Sequence, residues 1–241
     1  MINFGIIGIG NIAHRVAKGI LCSEKANLYA AASRNRENAE KFKEQYGAEC
    51  AYGSYEELLN DPKVDAVYIC TPNALHYEQI KMCLSYGKHV VCEKPMVADS
   101  KQVKELFAEA KSKGCFLMEA EKTMFTPLNR KLKQMIEEGV IGKLQAIRAE
   151  FSYDVLEDVE KEHWVLGNDM GGCSYDIGVY PLSFSHYFAN SKIQSFITNR
   201  VNHPEYECDF GMQADIRYEN GIYAFLQSNW FYTPEHKGLG I

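Results

Sequence analysis

A glycine-rich segment near the start of the chain has the residue types and spacing that bind a pyrophosphate. It reads Gly8-Ile9-Gly10-Asn11-Ile12-Ala13, a G-x-G-x-x-A pattern. Gly8 permits a tight turn, and Gly10 has no Cβ, so a pyrophosphate can approach the backbone there. The helix that should follow supplies N–H groups, beginning with Asn11 and Ile12, and a partial positive charge. The pattern predicts dinucleotide binding where a strand precedes it and a helix follows it; a glycine turn without a ligand is the alternative.

The residues after the predicted second strand bear on the choice of dinucleotide. Proteins that bind NAD usually carry Asp or Glu at this point, where the carboxylate binds the ribose 2′-hydroxyl. This chain has Ser33-Arg34 instead. Ser33 can donate a hydrogen bond to a 2′-phosphate, and Arg34 can pair with that phosphate or stack on the adenine. The pair therefore favours NADP. If Arg34 only begins a solvated helix face together with Arg36, the use of NAD or of both dinucleotides stays open.

Two further motifs follow predicted strands. Thr71-Pro72-Asn73 comes after VDAVYIC, and Glu93-Lys94-Pro95 comes after HVVC. In an open α/β sheet, the carboxyl ends of the strands face the crevice that binds the ligand. Pro95 biases Lys94 toward an extended backbone. An ammonium at Lys94 can hydrogen-bond a substrate hydroxyl, stabilise negative charge on its oxygen and exchange a proton. The ordinary alternative for Lys94 is a surface lysine.

A fifth chemical motif lies in the second half of the chain, where residues 171–180 read GGCSYDIGVY. Asp176 and Tyr180 are four residues apart, so they would project from one face of a helix. A phenol is a poor base at neutral pH, but a nearby lysine ammonium stabilises the phenolate and equips it to exchange a proton. The alternative for this pair is a buried tyrosine hydrogen bond and an aspartate on the helix surface.

The elements that must position these residues alternate between strands and helices over the first 120 or so residues. Six β-prone apolar segments are separated by segments with helical spacing of apolar residues. Helices that connect successive strands imply a parallel sheet with right-handed crossovers. The sequence predicts an α/β fold that begins with a doubly wound Rossmann domain over residues 1–120. Its predicted strands are 2–9, 27–33, 50–52, 64–70, 88–93 and 115–119.

The regular alternation of strands and helices ends near residue 120. The sequence predicts helices at 127–139 and 172–189, one long strand at 142–154, and three more strands at 192–201, 209–218 and 221–231. The turn Glu219-Asn220-Gly221 would join the last two strands as a hairpin. This order predicts a second α+β domain over residues 121–241, built on a mostly antiparallel sheet.

Composition excludes several classes of protein. The 241 residues include 26 Lys and Arg against 32 Asp and Glu, a formal net charge of −6, which does not suit a broad nucleic-acid or anionic membrane surface. The start of the chain lacks a signal peptide pattern, and no apolar stretch approaches the length of a spanning helix. The eight cysteines and seven histidines are scattered without zinc-binding spacing. We expect a cytoplasmic protein with reduced thiols and with no metal, nucleic-acid or membrane partner.

The motifs, in this order and at these separations, resemble the Gfo/Idh/MocA family, that of glucose-fructose oxidoreductase and inositol dehydrogenase. The E-K-P triplet and the G-G-x-x-x-D-x-G-x-(H/Y) pattern carry the resemblance. It implies that Lys94 is catalytic and that Asp176 and Tyr180 contact the substrate. Tyr180 stands where many members carry His, which is similar to the branch with dimeric dihydrodiol dehydrogenase and NADP-dependent xylose dehydrogenase. The resemblance also implies that His76 lies near the nicotinamide; a helix-surface imidazole is the alternative.

The expected function is transfer of a hydride between a nicotinamide and the hydroxyl or carbonyl carbon of a sugar, polyol or related diol. Lys94 and Tyr180 would handle the proton, and Asp176 would orient the substrate. The expected cofactor contacts are made by Gly8, Gly10, Asn11, Ile12, Ser33, Arg34, Thr71, Pro72, Asn73, His76, Glu93 and Lys94. The alternatives are a non-catalytic NADP-binding sensor and an inactive truncated fragment.

Three expectations concern the second domain. Phe151, Tyr153 and Trp164 are candidates for its substrate pocket, although the sequence does not identify the substrate. Members of the family are usually longer, so we expect a truncated gene product or a fragment whose sheet has an exposed edge. The resemblance and an open sheet face also imply a homodimer.

Overall fold

The computed structural model describes residues 1–233 of the chain. The chain divides into two compact units, Met1–Ala120 and Glu121–Ile241. Residues 234–241, on which the predicted end of the second domain falls, lie outside the described residues.

The first unit alternates strands and helices as the apolar spacing predicts. Its six strands are β1 (Ile2–Ile7), β2 (Ala26–Ala32), β3 (Cys50–Tyr52), β4 (Ala66–Ile69), β5 (His89–Cys92) and β6 (Leu117–Glu119). Its helices are α1 (Asn11–Leu21), α2 (Arg36–Tyr46), α3 (Tyr55–Asn60), α4 (His76–Ser85) and α5 (Ser100–Ser112), and a 3₁₀ turn at Asn73–Leu75 precedes α4.

The six strands form one parallel sheet in the order β3-β2-β1-β4-β5-β6. The predicted doubly wound sheet is therefore confirmed, and its strand order reverses between β1 and β4. In such sheets the ligand crevice lies at the carboxyl ends of the strands, at the point of reversal. The register aligns Ile7 with Ala32 and Ile69, and Ile69 with Cys92. The residues that follow these four positions consequently emerge side by side at one edge of the sheet.

Apolar side chains cover both faces of this sheet, and polar side chains define the helix starts. One apolar layer includes Val67, Leu84 and Val90, and the other includes Ile6, Ala31 and Phe42. Asn35, Ser54 and Asp99 cap α2, α3 and α5 through their side chains. The Glu57 carboxylate accepts from the Gly53 amide at 3.0 Å, one residue before the capping residue Ser54. These caps fix where the loops at the carboxyl edge end.

The second unit contains a four-stranded sheet and two longer helices. The strands are β7 (Ala146–Ser152), β8 (Ile193–Asn202), β9 (Asp209–Tyr218) and β10 (Tyr223–Asn229), and the helices are α6 (Pro127–Glu137) and α7 (Val179–Ala189). The sheet order is β7-β10-β9-β8. Three strands pair antiparallel, and β7 pairs parallel with β10, so the sheet is mixed.

Side chains of α7 and α6 pack on one face of this sheet. Phe184 and Phe188 of α7 lie in a cluster with Ile147, Ile216 and Leu226. The opposite face carries exposed side chains, and β8 forms an edge whose ten residues are all exposed. No helix within residues 1–233 combines the length and the apolar character that crossing a bilayer requires.

Two predicted boundaries in the second unit were wrong. The strand predicted from residue 142 begins at Ala146, because Gly139 and Gly142 adopt positive φ and form a turn in which the Gly142 amide donates to the Gly139 carbonyl. The helix predicted over 172–189 begins as a π-helical turn at Ser174–Gly178, and α-helix starts only at Val179. Pro181 has no N–H to donate to the Ile177 carbonyl, so regular α-helical bonding cannot run unbroken through this segment.

Candidate functional site

The glycine turn brings the end of β1 against the end of β4. Gly8 has φ of +82°, and a Cβ added there would lie 2.6 Å from Thr71 Cγ2 and 2.9 Å from the carbonyl carbon of Cys70. A side chain at this position would meet both the backbone strain of positive φ and a steric clash. Glycine is therefore required for the close approach of the two strand ends.

The N-terminus of α1 has the features of a phosphate site. Gly10 is its extended N-cap residue and provides no side-chain cap, and the first turn contains no acidic residue. A Cβ added at Gly10 would have no neighbouring atom within 4 Å, so this side of the turn is open. N–H groups at an uncapped helix start, here those of Asn11 and Ile12, suit the oxygens of a pyrophosphate. The turn thus fits a dinucleotide.

The residues after β2 present one exposed cation. Ser33 Oγ accepts a hydrogen bond from the Asn35 amide at 3.3 Å. Arg34 is exposed and forms no ion pair with a carboxylate of residues 1–233. Arg36 instead begins α2 and lies 3.8 Å from Glu40. The solvated helix face starts at Arg36, whereas Arg34 lies in the loop before α2.

The loop that contains Lys94 is fixed on both sides of the lysine. Tyr68 Oη donates to Glu93 Oε1 at 3.0 Å, and burial, with a further contribution from Glu93, raises the pKa of Tyr68. The Lys94 amide donates to Glu93 Oε2 at 3.3 Å, and the Lys94–Pro95 peptide is cis. Beyond the proline, the Met96 amide donates to Glu119 Oε1 at 2.7 Å. The loop thus has defined partners on β4 and β6.

His76 connects this loop with the loop after β4. The side chain is fully buried, with Nδ1 2.9 Å from the Pro95 carbonyl oxygen and Nε2 3.0 Å from the Thr71 carbonyl oxygen. Burial lowers the pKa of His76, and the charge of Lys94 lowers it further, whereas the two carbonyls oppose the shift. The alternative of a surface imidazole is therefore wrong.

The loop after β4 is held by buried polar groups. Thr71 Oγ1 donates to Gln79 Oε1, and both residues are buried. Pro72 precedes the 3₁₀ turn, and Asn73 is buried within it. We did not predict Gln79 from the sequence, nor the partners Tyr68 and Glu119 of the Lys94 loop. A signal was present for Tyr68 and Glu119, because each is a polar residue in a short apolar strand that ends at the carboxyl edge, whereas Gln79 lies among other polar residues of α4.

In the second unit, two glycines determine how the Asp176 segment begins. A Cβ added at Gly171 would lie 2.3 Å from the Gly167 carbonyl oxygen, and one at Gly172, where φ is +99°, would lie 2.4 Å from Asp209 Oδ1. Asp209 accepts from the Ser174 amide at 2.9 Å and from its hydroxyl at 2.7 Å. The paired glycines let a buried carboxylate cap the π-helical turn that contains Asp176.

Asp176 and Tyr180 each contact an aromatic residue of β7 or of the segment that follows it. Tyr153 Oη donates to Asp176 Oδ2 at 2.9 Å. Burial raises the pKa of Tyr153, and Asp176 raises it further. The Phe151 and Tyr180 rings meet edge to face, with centroids 5.3 Å apart. Trp164, the third pocket candidate, is 38% exposed and lies beside His163.

One further cation of the second unit lies beside Tyr180. Lys122 Nζ is 4.9 Å from the centroid of the Tyr180 ring. We did not predict Lys122 from the sequence, although it comes three residues after the end of β6, and residues after strand ends are the ones expected to face a ligand.

No group of three or more His, Cys, Asp or Glu side chains among residues 1–233 is arranged to hold a metal ion, and all eight cysteines are free.

The structure thus gathers the predicted residues into two sets, each within one unit. The first unit brings the Gly8 turn, Thr71, His76 and the Lys94 loop to the carboxyl edge of its sheet. The second unit brings Asp176 together with Tyr153, and Tyr180 together with Phe151. The first set combines a glycine turn that fits a dinucleotide with the loop that contains Lys94, and the second set combines a carboxylate and a phenol that are able to form hydrogen bonds.

Both units match models of known families. A model described as an oxidoreductase family with an NAD-binding Rossmann fold matches residues 2–121, and the GFO/IDH/MocA C-terminal domain matches residues 129–239.

Trans-1,2-dihydrobenzene-1,2-diol dehydrogenases are similar in sequence. The Mus musculus protein is 37% identical over 185 residues, which are 76% of this chain and 55% of that protein. The Xenopus tropicalis protein is 34% identical over 230 residues, which are 93% of this chain and 68% of that protein. The chain therefore spans little more than half the length of the mouse relative.

A solved 3-ketoreductase from Actinomadura kijaniata is similar in structure. In complex with NADP and TDP-benzene it has a TM-score of 0.89 at 31% identity, and the match covers 96% of this chain and 71% of that chain. Other structures of that ketoreductase carry a lysine replaced by alanine or glutamate, or a tyrosine replaced by phenylalanine. Since family models match both units and relatives above 30% identity match most of the sequence, the chain is a member of the Gfo/Idh/MocA oxidoreductase family.

Proposed function

We propose that the chain is an NADP-preferring dehydrogenase or reductase that acts on the CH–OH or carbonyl carbon of a sugar, polyol or related diol. The observation that carries the proposal is the Lys94 loop, which one buried and two part-buried hydrogen bonds hold at the carboxyl edge of the sheet that also presents the Gly8 turn. A surface lysine has no need of a backbone fixed by three separate partners. Such an arrangement suits a group that must meet a reacting oxygen.

The proton chemistry is assigned to Lys94 and Tyr180. As an alcohol is oxidised, its hydroxyl proton would pass to the phenolate form of Tyr180, which the Lys94 ammonium would stabilise, while the carbon would give up a hydride to bound NADP; reduction would run the same transfers in reverse. The Lys94 ammonium stabilises negative charge that develops on the substrate oxygen. Asp176, whose carboxylate accepts a hydrogen bond from Tyr153, is assigned the orientation of a neighbouring substrate hydroxyl.

Bound NADP would supply or accept the hydride at C4 of its nicotinamide. The proposed contacts are the amides at the start of α1 for the pyrophosphate, and Ser33 with Arg34 for the 2′-phosphate. Two observations support NADP over NAD: the exposed Arg34 guanidinium forms no ion pair with residues 1–233, and the similar 3-ketoreductase is solved with NADP. His76, Thr71, Pro72, Asn73 and Glu93 complete the proposed cofactor side of the site.

Substitution of the two proton-handling residues tests the proposal. Lys94→Ala and Tyr180→Phe should each lower kcat about 10²- to 10⁴-fold, the contribution typical of a general acid or base, while NADPH binding changes little. The similar ketoreductase supports the choice of residue types, since its solved variants alter a lysine and a tyrosine. Unchanged turnover in both variants would remove these residues from the chemistry.

Two alternatives predict a different result in one experiment. A non-catalytic NADP-binding sensor, or an inactive fragment that still binds nucleotide, would bind NADPH without oxidising it. Stopped-flow fluorescence of bound NADPH against a panel of aldoses, inososes and dicarbonyls distinguishes them from an enzyme. Loss of the fluorescence with one class of compound supports the enzyme, and its persistence with every class favours a sensor or fragment.

We also propose that the chain forms a homodimer through the uncovered face of its second sheet. One row of that face pairs Arg148, Phe225, Asp215 and Ile197 across four strands. Ile197 is 70% exposed, and the row offers apolar surface flanked by opposite charges, which a second copy can complement. Light scattering during gel filtration should give a dimer mass that Phe225→Arg reduces to the monomer mass.

The proposed compartment is the cytoplasm, since the cytoplasm keeps free thiols reduced. Imaging of a tagged chain tests this proposal.

A further inference from the structure

Lys122 is an exposed cation whose ammonium lies over the ring of Tyr180. Its Nζ is 4.9 Å from the ring centroid. Lys122 forms no ion pair with the carboxylates of residues 1–233. The contact with the aromatic ring therefore leaves its charge unneutralised by the part of the chain that the structure describes.

The backbone on both sides of Lys122 is fixed. Glu121 and Thr123 are buried, and the Thr123 amide donates to Glu121 Oε1 at 2.8 Å. Asn129 Nδ2 in turn donates to the Thr123 carbonyl at 2.8 Å. Because the residues on both sides are buried and hydrogen-bonded, the Lys122 side chain starts from a fixed point on the backbone. From there its ammonium reaches the face of the Tyr180 ring.

We propose that Lys122 binds an anionic group of the substrate, so that the chain prefers sugars or diols that carry a carboxylate or a phosphate. This inference rests on the proposed function, because it takes Tyr180 as the residue that meets the reacting oxygen. The ammonium lies over the ring that bears the Tyr180 phenol oxygen, so one sugar-sized molecule can reach both groups. An ammonium with a carboxylate or phosphate forms a charge-assisted hydrogen bond.

The charge of Lys122 favours this class of substrate over a neutral polyol. The carboxylates of Asp176 and Glu121 accept hydrogen bonds from Tyr153 and the Thr123 amide, and neither forms an ion pair with Lys122. A substrate that fills the space beside Tyr180 displaces water from Lys122, and burial of a cation without a partner is costly. A neutral sugar offers only hydroxyl groups in exchange, whereas an anionic group also neutralises the charge.

The test compares Lys122→Gln with Lys133→Gln in the full chain. Lys133 is the control, because its Nζ lies 4.2 Å from the centroid of another tyrosine ring, that of Tyr187, although it is half-buried and also donates to the Tyr187 carbonyl at 3.0 Å. Each protein is assayed with a panel of aldoses, the corresponding uronates and the corresponding sugar phosphates. Binding of the same compounds to the NADP-loaded protein is measured by titration calorimetry at low and high salt, because screening weakens an exposed ion pair.

We expect Lys122→Gln to lower the ratio of kcat/KM for charged over neutral substrates by about ten- to a hundredfold, with a parallel loss of affinity in calorimetry. Lys133→Gln should leave this ratio unchanged. The uronate and phosphate arms show which anionic group is preferred. Equal losses for charged and neutral compounds, a preference for neutral compounds in the unsubstituted chain, or no binding of any anionic compound would overturn the inference.

The two proposals fail in different ways. If uronates or phosphates bind in a manner that depends on Lys122 but no compound oxidises NADPH, the inference stands and the proposed enzymatic function is overturned. If neutral sugars turn over and charged ones do not, the proposed function stands and the role of Lys122 is overturned.

Discussion

The His76 imidazole lies 2.9 Å from the carbonyl oxygen of Pro95 through its Nδ1 atom, and Pro95 directly follows Lys94. The other ring nitrogen lies 3.0 Å from the Thr71 carbonyl oxygen. One buried side chain thus connects the loops after β4 and β5, which lie next to each other at the carboxyl edge of the sheet. We infer that His76 is a positioning residue for the Lys94 loop.

Removal of this connection should cost stability. A neutral imidazole donates to one of the two carbonyl oxygens, so His76→Ala leaves that buried carbonyl without its donor, and we expect the free energy of unfolding to fall by about 1 to 3 kcal/mol, with a further contribution from the cavity. His76→Gln retains one donor and should recover part of the loss. Urea unfolding followed by circular dichroism measures both. Equal stability of the alanine variant and the unsubstituted chain would show that the contacts contribute nothing.

The same histidine should make stability depend on pH. Burial lowers the folded-state pKa of His76 below its ordinary value of 6.5. The unfolded chain therefore binds this proton more readily, so the contribution of His76 is fully present above 6.5 and is lost as pH falls from there through the folded-state pKa. Unfolding midpoints at pH about 7.5 and about 5.5 should differ less in His76→Gln than in the unsubstituted chain. The same difference in both proteins would assign the pH dependence to other groups.

Gly172→Ala should disturb the segment that presents Asp176. A Cβ there would lie 2.4 Å from Asp209 Oδ1, and the residue would also need positive φ. Gly221→Ala is a matched control, since Gly221 has φ of +88° but no atom within 4 Å of an added Cβ. Strained backbone costs of order 1 to 3 kcal/mol at either site, so the larger loss in Gly172→Ala measures the clash. Calorimetric unfolding of the two variants gives the comparison; equal losses would contradict a steric role for Asp209.

Tyr153→Phe should affect substrate more than cofactor. It removes the hydrogen bond from Tyr153 Oη to Asp176 Oδ2, a bond to a carboxylate of the kind worth about 1.5 to 3 kcal/mol. If Asp176 orients the substrate, KM should rise while the Kd for NADPH stays constant. Tyr232→Phe is a suitable control, because Tyr232 Oη donates to the Glu150 carboxylate at 2.8 Å elsewhere on the unit. A KM unchanged by Tyr153→Phe would separate Asp176 from substrate binding.

Arg34→Ala should discriminate between the two nicotinamide dinucleotides. Loss of a charge-assisted bond to the 2′-phosphate would weaken NADPH about ten- to a hundredfold and leave NADH nearly unaffected. Arg36→Ala removes a neighbouring arginine that belongs to α2 and faces Glu40. Fluorescence titration of both variants with both dinucleotides provides the measurement. Parallel weakening of NADPH and NADH by Arg34→Ala would show that Arg34 does not contact the 2′-phosphate.

The amino-acid sequence by itself determined the architecture of the first unit and most of the elements of the second. Apolar spacing, helix caps and glycine turns are local properties, so they predicted the six parallel strands and their carboxyl-edge residues correctly. The roles of Lys94, Asp176 and Tyr180 stay predictions. The predicted start of β7 was wrong because Gly139 and Gly142 form a turn with positive φ. A pattern of alternating side chains does not record backbone dihedral angles.

Only the tertiary structure decided which polar groups meet. Tyr68 and Glu119 hold the Lys94 loop from strands 25 and 23 residues away from their partners in the chain, Gln79 holds Thr71 from the next helix, and Lys122 lies beside Tyr180 although 58 residues separate them. It also decided that His76 is buried and that β7 pairs parallel with β10. These relationships depend on side-chain contacts across elements, and such contacts come into existence only when the sheet register and the helix packing bring distant residues together.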